Sequence, residues 1–125
     1  MADPYGQRRH PRIPVNWPVV VQTPQGSMEA KTRNISPDGA FIEYSDRPEL
    51  EKSFQIVFKP SDRQPILVTG EKVWSGSFNI DGKTVFSGMG VRFAAISSED
   101  RELIASLVND YSKTTSVERK EDISE

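Results

Sequence analysis

The sequence predicts an all-β fold, a small six-stranded antiparallel β-barrel followed by one C-terminal α-helix. Short runs rich in valine, isoleucine, phenylalanine and threonine recur along the chain, and glycine- and proline-containing turns separate them. Near the C-terminus the apolar residues change to helical spacing. Many short strands followed by a single helix favour a barrel over a βαβ fold. At 125 residues, the chain is long enough for one domain with a single core.

Six strand-like runs make up the predicted barrel, and turn-forming residues bound each of them. The runs are 15–23, 28–35, 39–45, 53–59, 66–75 and 84–94. Pro18 within the first run predicts a sheet edge or a bulge, because proline cannot donate to a neighbouring strand. The Asp-Gly pair at 81–82 predicts a hairpin between the last two runs.

One amphipathic helix is predicted over about 98–112, since Ser97 can cap it and Asp100 follows three residues later. The apolar residues that recur at helical spacing are Leu103, Ile104, Leu107, Val108 and Tyr111. We expect this stripe to cover an open end or side of the sheet. The expected organisation is a flexible basic arm at 1–12, the barrel with its helix at 13–112, and a polar, disordered tail at 113–125.

The composition excludes several kinds of active site. The chain contains no cysteine and one histidine, so disulfides, cysteine nucleophiles, histidine metal clusters and a Ser-His-Asp triad lack the residues they need. We therefore expect no enzymatic activity, no resident cofactor and no metal. No apolar run reaches the roughly 18 residues of a membrane span, and the N-terminus lacks the apolar core of a signal peptide. We expect a cytoplasmic protein without membrane insertion.

Positive charge is densest in the stretch RRHPR, residues 8–12. Residues 1–12 contain three arginines and one aspartate, whereas the whole chain has a net charge of −2. Pro11 disfavours a helix here, and arginine can grip phosphate oxygens, pair with guanine or stack on a base. Taken alone, the cluster is a weak signal, and a solvated basic tail is the simpler explanation of it. A protein that binds long nucleic acids would show a broader basic face, so a small anionic ligand fits better.

The stretch NISPDG, residues 34–39, lies between two predicted strands. Asn34 and Ser36 point to the same side of an extended chain, and Gly39 permits a positive φ. One interpretation is an ordinary turn, in which these side chains bond backbone amides. The other is a ligand site, in which Asn34 accepts from the N–H edge of a base and Ser36 offers a hydroxyl.

Taken together, an Arg-x-x-x-Arg arm before the first strand and an Asn-x-Ser-x-x-Gly stretch after the second resemble the PilZ domain family. This family comprises receptors for the bacterial second messenger cyclic di-GMP. The resemblance runs from about Arg8 to Val108. It includes GEKVWS at 70–75 and GMGVRF at 88–93, which is similar to the family's closing Gly-Val-x-Phe strand.

The resemblance implies a role for each matching residue. Arg8 and Arg12 would clamp guanine and phosphate, and Arg9 would add a phosphate contact. The turn residues Asn34, Ser36 and Gly39 would line the barrel surface against a guanine. Because asparagine stands where the family often has aspartate, a charge-assisted bond is lost and we expect weaker binding. Trp74 could stack on a guanine or plug the end of the barrel.

The function that the resemblance implies is a cyclic di-GMP receptor that signals to a protein partner in motility, pilus or exopolysaccharide control. The alternative is an adaptor, since some barrels of this family bind a protein partner without nucleotide. The intact arginines, Asn34, Ser36 and Gly39 argue against the adaptor. A single-strand-binding barrel similar to an OB-fold would need a basic, aromatic groove, which the acidic barrel body lacks.

Overall fold

A computed structural model describes residues 12–45 and 47–124, without the side chains of residues 85, 86 and 112–124. Within them the chain forms six antiparallel strands and one helix. The elements are β1 Ile13–Thr23, β2 Gly26–Ser36, β3 Gly39–Tyr44, β4 Phe54–Phe58, β5 Ile66–Ile80, β6 Lys83–Ile96 and α1 Ser98–Ser124. The strands close into a barrel in the order β1-β2-β3-β6-β5-β4. The predicted six-stranded barrel with a C-terminal helix is confirmed.

The barrel is filled by apolar side chains from every strand. Alternate residues of each strand face inward, as for Val19 and Val21 of β1 and for Ile56 and Phe58 of β4, which are at most 1% exposed. Helix α1 adds Ile104 and Val108 to the same core. The rigid barrel therefore leaves its outward-facing positions available for a site.

The hairpin of β5 and β6 is longer than the sequence predicts. The Asp81–Gly82 turn has positive φ at both residues, 53° and 79°, which is the conformation that a two-residue hairpin needs. Because this turn pairs Ile80 with Lys83, the two strands stay paired up to it. The predicted end of the fifth strand at residue 75 is therefore wrong.

Pro18 does not mark an edge, because β1 pairs with both β2 and β4. The register of β1 against β2 shifts between Pro14 and Trp17, immediately before Pro18. The amide of Lys59 donates to the carbonyl oxygen of Pro18 at 2.8 Å. The predicted irregularity is thus present, but it lies in a strand that has a neighbour on each side.

Helix α1 starts as predicted and ends later. The hydroxyl of Ser97 accepts from the amide of Asp100 at 3.1 Å, which is an N-cap. The helix ends at Ser124 rather than near residue 112, because the sequence after Tyr111 holds no glycine or proline to stop it. In the described part of the chain, no helix is long and apolar enough to cross a membrane.

Candidate ligand-binding site

Two neighbouring rows of residues cross the outer face of β2, β3, β6 and β5. Strand register defines the first row as Asn34, Phe41, Gly90 and Trp74, and the second as Ser36, Gly39, Arg92 and Glu71. The row between them contains core residues such as Ile35 and Val91, so the two flanking rows face outward. We call these eight residues the outer patch. It contains four of the residues singled out from the sequence, namely Asn34, Ser36, Gly39 and Trp74.

A β-bulge directs Asn34 onto the outer patch. The register of β2 against β3 shifts between Thr32 and Asn34, which makes Arg33 the extra residue. The buried hydroxyl of Thr32 lies 2.8 Å from the carbonyl oxygen of Phe41 and 3.0 Å from that of Asn34, so its one hydrogen is shared between these two acceptors. This hydroxyl fixes the irregular backbone, as is common where a bulge orients functional side chains.

Arg12 joins the N-terminal basic segment to the outer patch. Its Nη1 donates to Oδ1 of Asn34 at 3.4 Å, a long hydrogen bond. The side chain is partly buried, so Arg12, the last residue of the expected arm, lies at the patch. Arg8 and Arg9 lie outside the described residues.

Ser36 shapes the turn between β2 and β3. Its hydroxyl accepts from the amides of Asp38 and Gly39, at 3.1 and 3.3 Å, and lies 3.5 Å from the carbonyl oxygen of Gly39. The side chain is 1% exposed. These are the bonds of an ordinary serine turn, so the hydroxyl is occupied by the chain itself in this state.

Gly39 is needed for space and not for a positive φ. Among the described residues the positive-φ glycines are Gly26 and Gly82, so the expected conformation is wrong. Gly39 begins β3 opposite Arg92, where the backbone is extended. A Cβ atom at Gly39 would overlap the carbonyl oxygen of Val91. The absence of a side chain lets β3 lie close against β6.

Helix α1 holds the same turn from the other side. Arg101 donates from Nη1 to the carbonyl oxygen of Pro37 at 3.2 Å and from Nη2 to Oδ1 of Asp38 at 2.9 Å. The carbonyl oxygen of Asp38 accepts from the amide of Phe93 at 2.9 Å. The turn is therefore tied both to β6 and to the helix, and Arg101 compensates the charge of Asp38.

Aromatic rings form the far end of the outer patch. Trp74 stacks on Phe41 with ring centroids 5.4 Å apart and an interplanar angle of 29°, and Phe78 meets Phe41 edge-on at 6.4 Å. A Cβ atom at Gly90 would lie 2.5 Å from Nε1 of Trp74, so that glycine makes room for the indole. Trp74 is 43% exposed. It lies on the outer surface, and the alternative of a plug at the barrel end is wrong.

A buried tyrosine supports the patch from within the barrel. The hydroxyl of Tyr44 donates to the carbonyl oxygen of Gly88 at 3.2 Å. Burial raises the pKa of this phenol above its usual value, although Arg47 and Ser75 act in the opposite direction. The hydroxyl therefore stays protonated at neutral pH and keeps its bond to β6.

The described residues contain no group of three or more histidine, cysteine, aspartate or glutamate side chains that could hold a metal ion. The outer patch instead combines an amide, a guanidinium, glycine backbone and an indole. Asn34 and Trp74 lie three strand spacings apart, roughly 14 Å at about 4.8 Å per strand. Such a surface can bind a flat, anionic, hydrogen-bonding molecule by charge, base-edge contacts and stacking.

Sequence reasoning missed three residues of this region, Phe41, Arg92 and Arg101. A signal existed for Phe41, because the alternation of β3 places this aromatic residue on the same face as Glu43 and Ser45. Arg92 and Arg101 carry no local signal. Their proximity to the turn depends on strand order and helix packing.

Comparison with known proteins supports one family. The model of the PilZ domain matches residues 6–110. The Bacillus subtilis inhibitor of motility MotI/DgrA is similar in structure, with a TM-score of 0.73 and 13% identity over 86% of this chain and 52% of that chain. The PilZ domain of Escherichia coli YcgR with c-di-GMP has a TM-score of 0.70 and 15% identity over 93% of this chain and 98% of that one.

Borreliella burgdorferi PlzA, in complex with c-di-GMP, has a TM-score of 0.66 and 11% identity, over 90% of this chain and 54% of that one. The chain thus spans about half the length of MotI/DgrA and PlzA. Among curated proteins, no sequence match is found. At these identities the solved structures establish the shared fold. Because the family model covers most of its length, the chain belongs to the PilZ domain family.

Proposed function

We propose that this PilZ domain is a receptor for cyclic di-GMP that binds the dinucleotide on the outer patch. The observation that carries the proposal is the contact between Arg12 and Asn34, because it joins the basic segment to the Asn-x-Ser-x-x-Gly turn. Two PilZ relatives of the same fold, YcgR and PlzA, are bound to c-di-GMP. No residue set in the sequence supports catalysis, so the domain acts as a sensor and not as an enzyme.

Each residue of the proposed site has a chemical role. Arg8 and Arg12 clamp the ligand through guanine and phosphate, and Arg9 adds a phosphate contact, because guanidinium groups bind both in a bidentate manner. Asn34 accepts from the guanine N–H edge. Gly39 lets the ligand approach the backbone. The indole face of Trp74 that is turned away from Phe41 stacks on a guanine.

Ser36 acts in this proposal through the turn. Its buried hydroxyl holds the amides of Asp38 and Gly39, which sets the position of the backbone beside the ligand. Ser36 is therefore a positioning residue. A direct bond from its hydroxyl to the ligand would require the turn bonds to break.

Binding orders the N-terminal arm, which costs conformational entropy. Charge-assisted bonds from the arginines to a dianionic ligand offset that cost. The closed arm changes the surface that a protein partner meets, and such a partner in motility, pilus or exopolysaccharide control would receive the signal.

Isothermal titration calorimetry with cyclic di-GMP, GTP and a short oligonucleotide tests the proposal. We expect saturable heat with cyclic di-GMP alone. Arg12→Ala removes a charged hydrogen-bonding fork and should cost about 1.5–3 kcal/mol of binding free energy. The control is Arg63→Ala, because Arg63 pairs with Asp62 in the loop between β4 and β5. Absence of heat with cyclic di-GMP at tens of micromolar, about −6 kcal/mol on the affinity scale, would favour the adaptor instead.

A further inference from the structure

Arg92 occupies the centre of the second row of the outer patch. Strand register places it directly between Gly39 of β3 and Glu71 of β5. Its side chain is 57% exposed on the outer face. Among the eight residues of the patch, it is the one with a positive charge.

The guanidinium of Arg92 forms an ion pair with Glu71 through Nη2 and Oε1. The side chain of Glu71 is 28% exposed, so water reaches both partners. Solvent-accessible ion pairs of this kind contribute little to stability. Arg92 is consequently held in place but can be released at low cost.

The two patch residues nearest to Arg92 are glycines. Gly39 is its neighbour across the strands, and Gly90 lies two residues before it on β6. Both are buried, and the indole of Trp74 lies over Gly90. Two residues along a strand span about 7 Å. A molecule that binds along the first row, between Asn34 and Trp74, therefore lies within reach of the guanidinium.

We propose that Arg92 is a further ligand-binding residue. Its guanidinium breaks the ion pair with Glu71 and binds a phosphate of the dinucleotide instead. This inference rests on the proposed function. A guanidinium matches phosphate oxygens bidentately, and a dianionic ligand between Asn34 and Trp74 attracts Arg92 while it repels the carboxylate of Glu71. Glu71 thus holds the guanidinium at the outer patch and competes with the ligand for it.

The test measures the Kd of cyclic di-GMP by calorimetry for Arg92→Gln, Glu71→Gln and the double variant. Arg92→Gln should raise the Kd about tenfold or more, as expected for loss of a charged hydrogen bond. Glu71→Gln should lower the Kd about two- to fivefold, because a weak competitor is removed. In the Arg92→Gln background, Glu71→Gln should lower the Kd by a smaller factor, because only the direct repulsion between Glu71 and the ligand is then removed.

The controls are Arg63→Gln and Asp62→Asn, which make the same charge changes in the exposed pair of the β4–β5 loop and should leave the Kd unchanged. Thermal melting of each ligand-free variant checks that the barrel is intact.

If the parent protein does not bind cyclic di-GMP, the proposed function fails. If the parent binds and Arg92→Gln binds equally well, Arg92 has no such role. An equal gain from Glu71→Gln with and without Arg92 would also overturn the inference, because Glu71 would then act only by its charge.

Discussion

Replacement of Gly39 by alanine should destabilise the barrel by crowding and not by backbone strain. The new Cβ atom would overlap the carbonyl oxygen of Val91, and it would lie 3.4 Å from the carbonyl carbon of Val91 and 3.6 Å from Cα of Arg92. All three are backbone atoms of β6, so no side-chain rotation can relieve the contact. The strands β3 and β6 must therefore shift apart at the start of β3, beside the turn that joins β2 to β3.

Overpacking of this kind costs about 1–3 kcal/mol. For a domain of this size, a loss of about 2 kcal/mol lowers the melting temperature by roughly 8 °C. Because the shift moves the start of β3, cyclic di-GMP should also bind more weakly. Gly39→Val should have the larger effect on both quantities.

Gly76→Ala is the matched control for this experiment. Gly76 lies in β5, its φ is not among the positive values, and an added Cβ atom would meet nothing within 4 Å. The melting temperature of Gly76→Ala should equal or slightly exceed that of the parent, since alanine restricts the conformations of the unfolded chain. Thermal unfolding followed by circular dichroism compares the two variants. Equal melting temperatures for Gly39→Ala and Gly76→Ala would refute the crowding argument.

Three further substitutions test other parts of the site. Trp74→Ala removes the exposed stacking face and should weaken cyclic di-GMP binding by about 1–3 kcal/mol in calorimetry; an unchanged Kd would exclude stacking there. Arg101→Gln removes the bonds from α1 to Pro37 and Asp38, so it should lower the melting temperature and raise the Kd, and parental values of both would show that the helix does not position the turn. Asn34→Asp adds a charge-assisted acceptor for guanine and should maintain or increase affinity; weaker binding would place Asn34 beside the phosphates.

Local sequence signals were sufficient for most of the fold. Alternation and turn residues predicted six strands, the Asp-Gly pair predicted the β5–β6 hairpin, and Ser97 predicted the start of α1. Element ends were less predictable. The apolar stripe of the helix stops at Tyr111, but the helix continues, because helix formation needs no apolar face where nothing interrupts the backbone.

The candidate site was only partly predictable, because its composition depends on strand register. Asn34, Ser36 and Gly39 share one stretch of sequence, and so they could be singled out together. The purpose of Gly39 could not be derived locally, since the atom that excludes a side chain belongs to Val91 on β6. Arg92 is 53 residues from Gly39 in sequence, and it becomes its neighbour only through the pairing of β3 with β6.

The most direct test of the proposed receptor is a titration of the ¹⁵N-labelled protein with cyclic di-GMP, followed by amide chemical shifts. We expect the largest changes in the outer patch, at the amides of Asn34, Gly39 and Gly90 and at the indole N–H of Trp74, together with the arginines of the N-terminal arm. We expect little change in the groove lined by Pro18, Glu29 and Lys59. Shifts confined to that groove, or no shifts at saturating ligand, would contradict the proposed receptor.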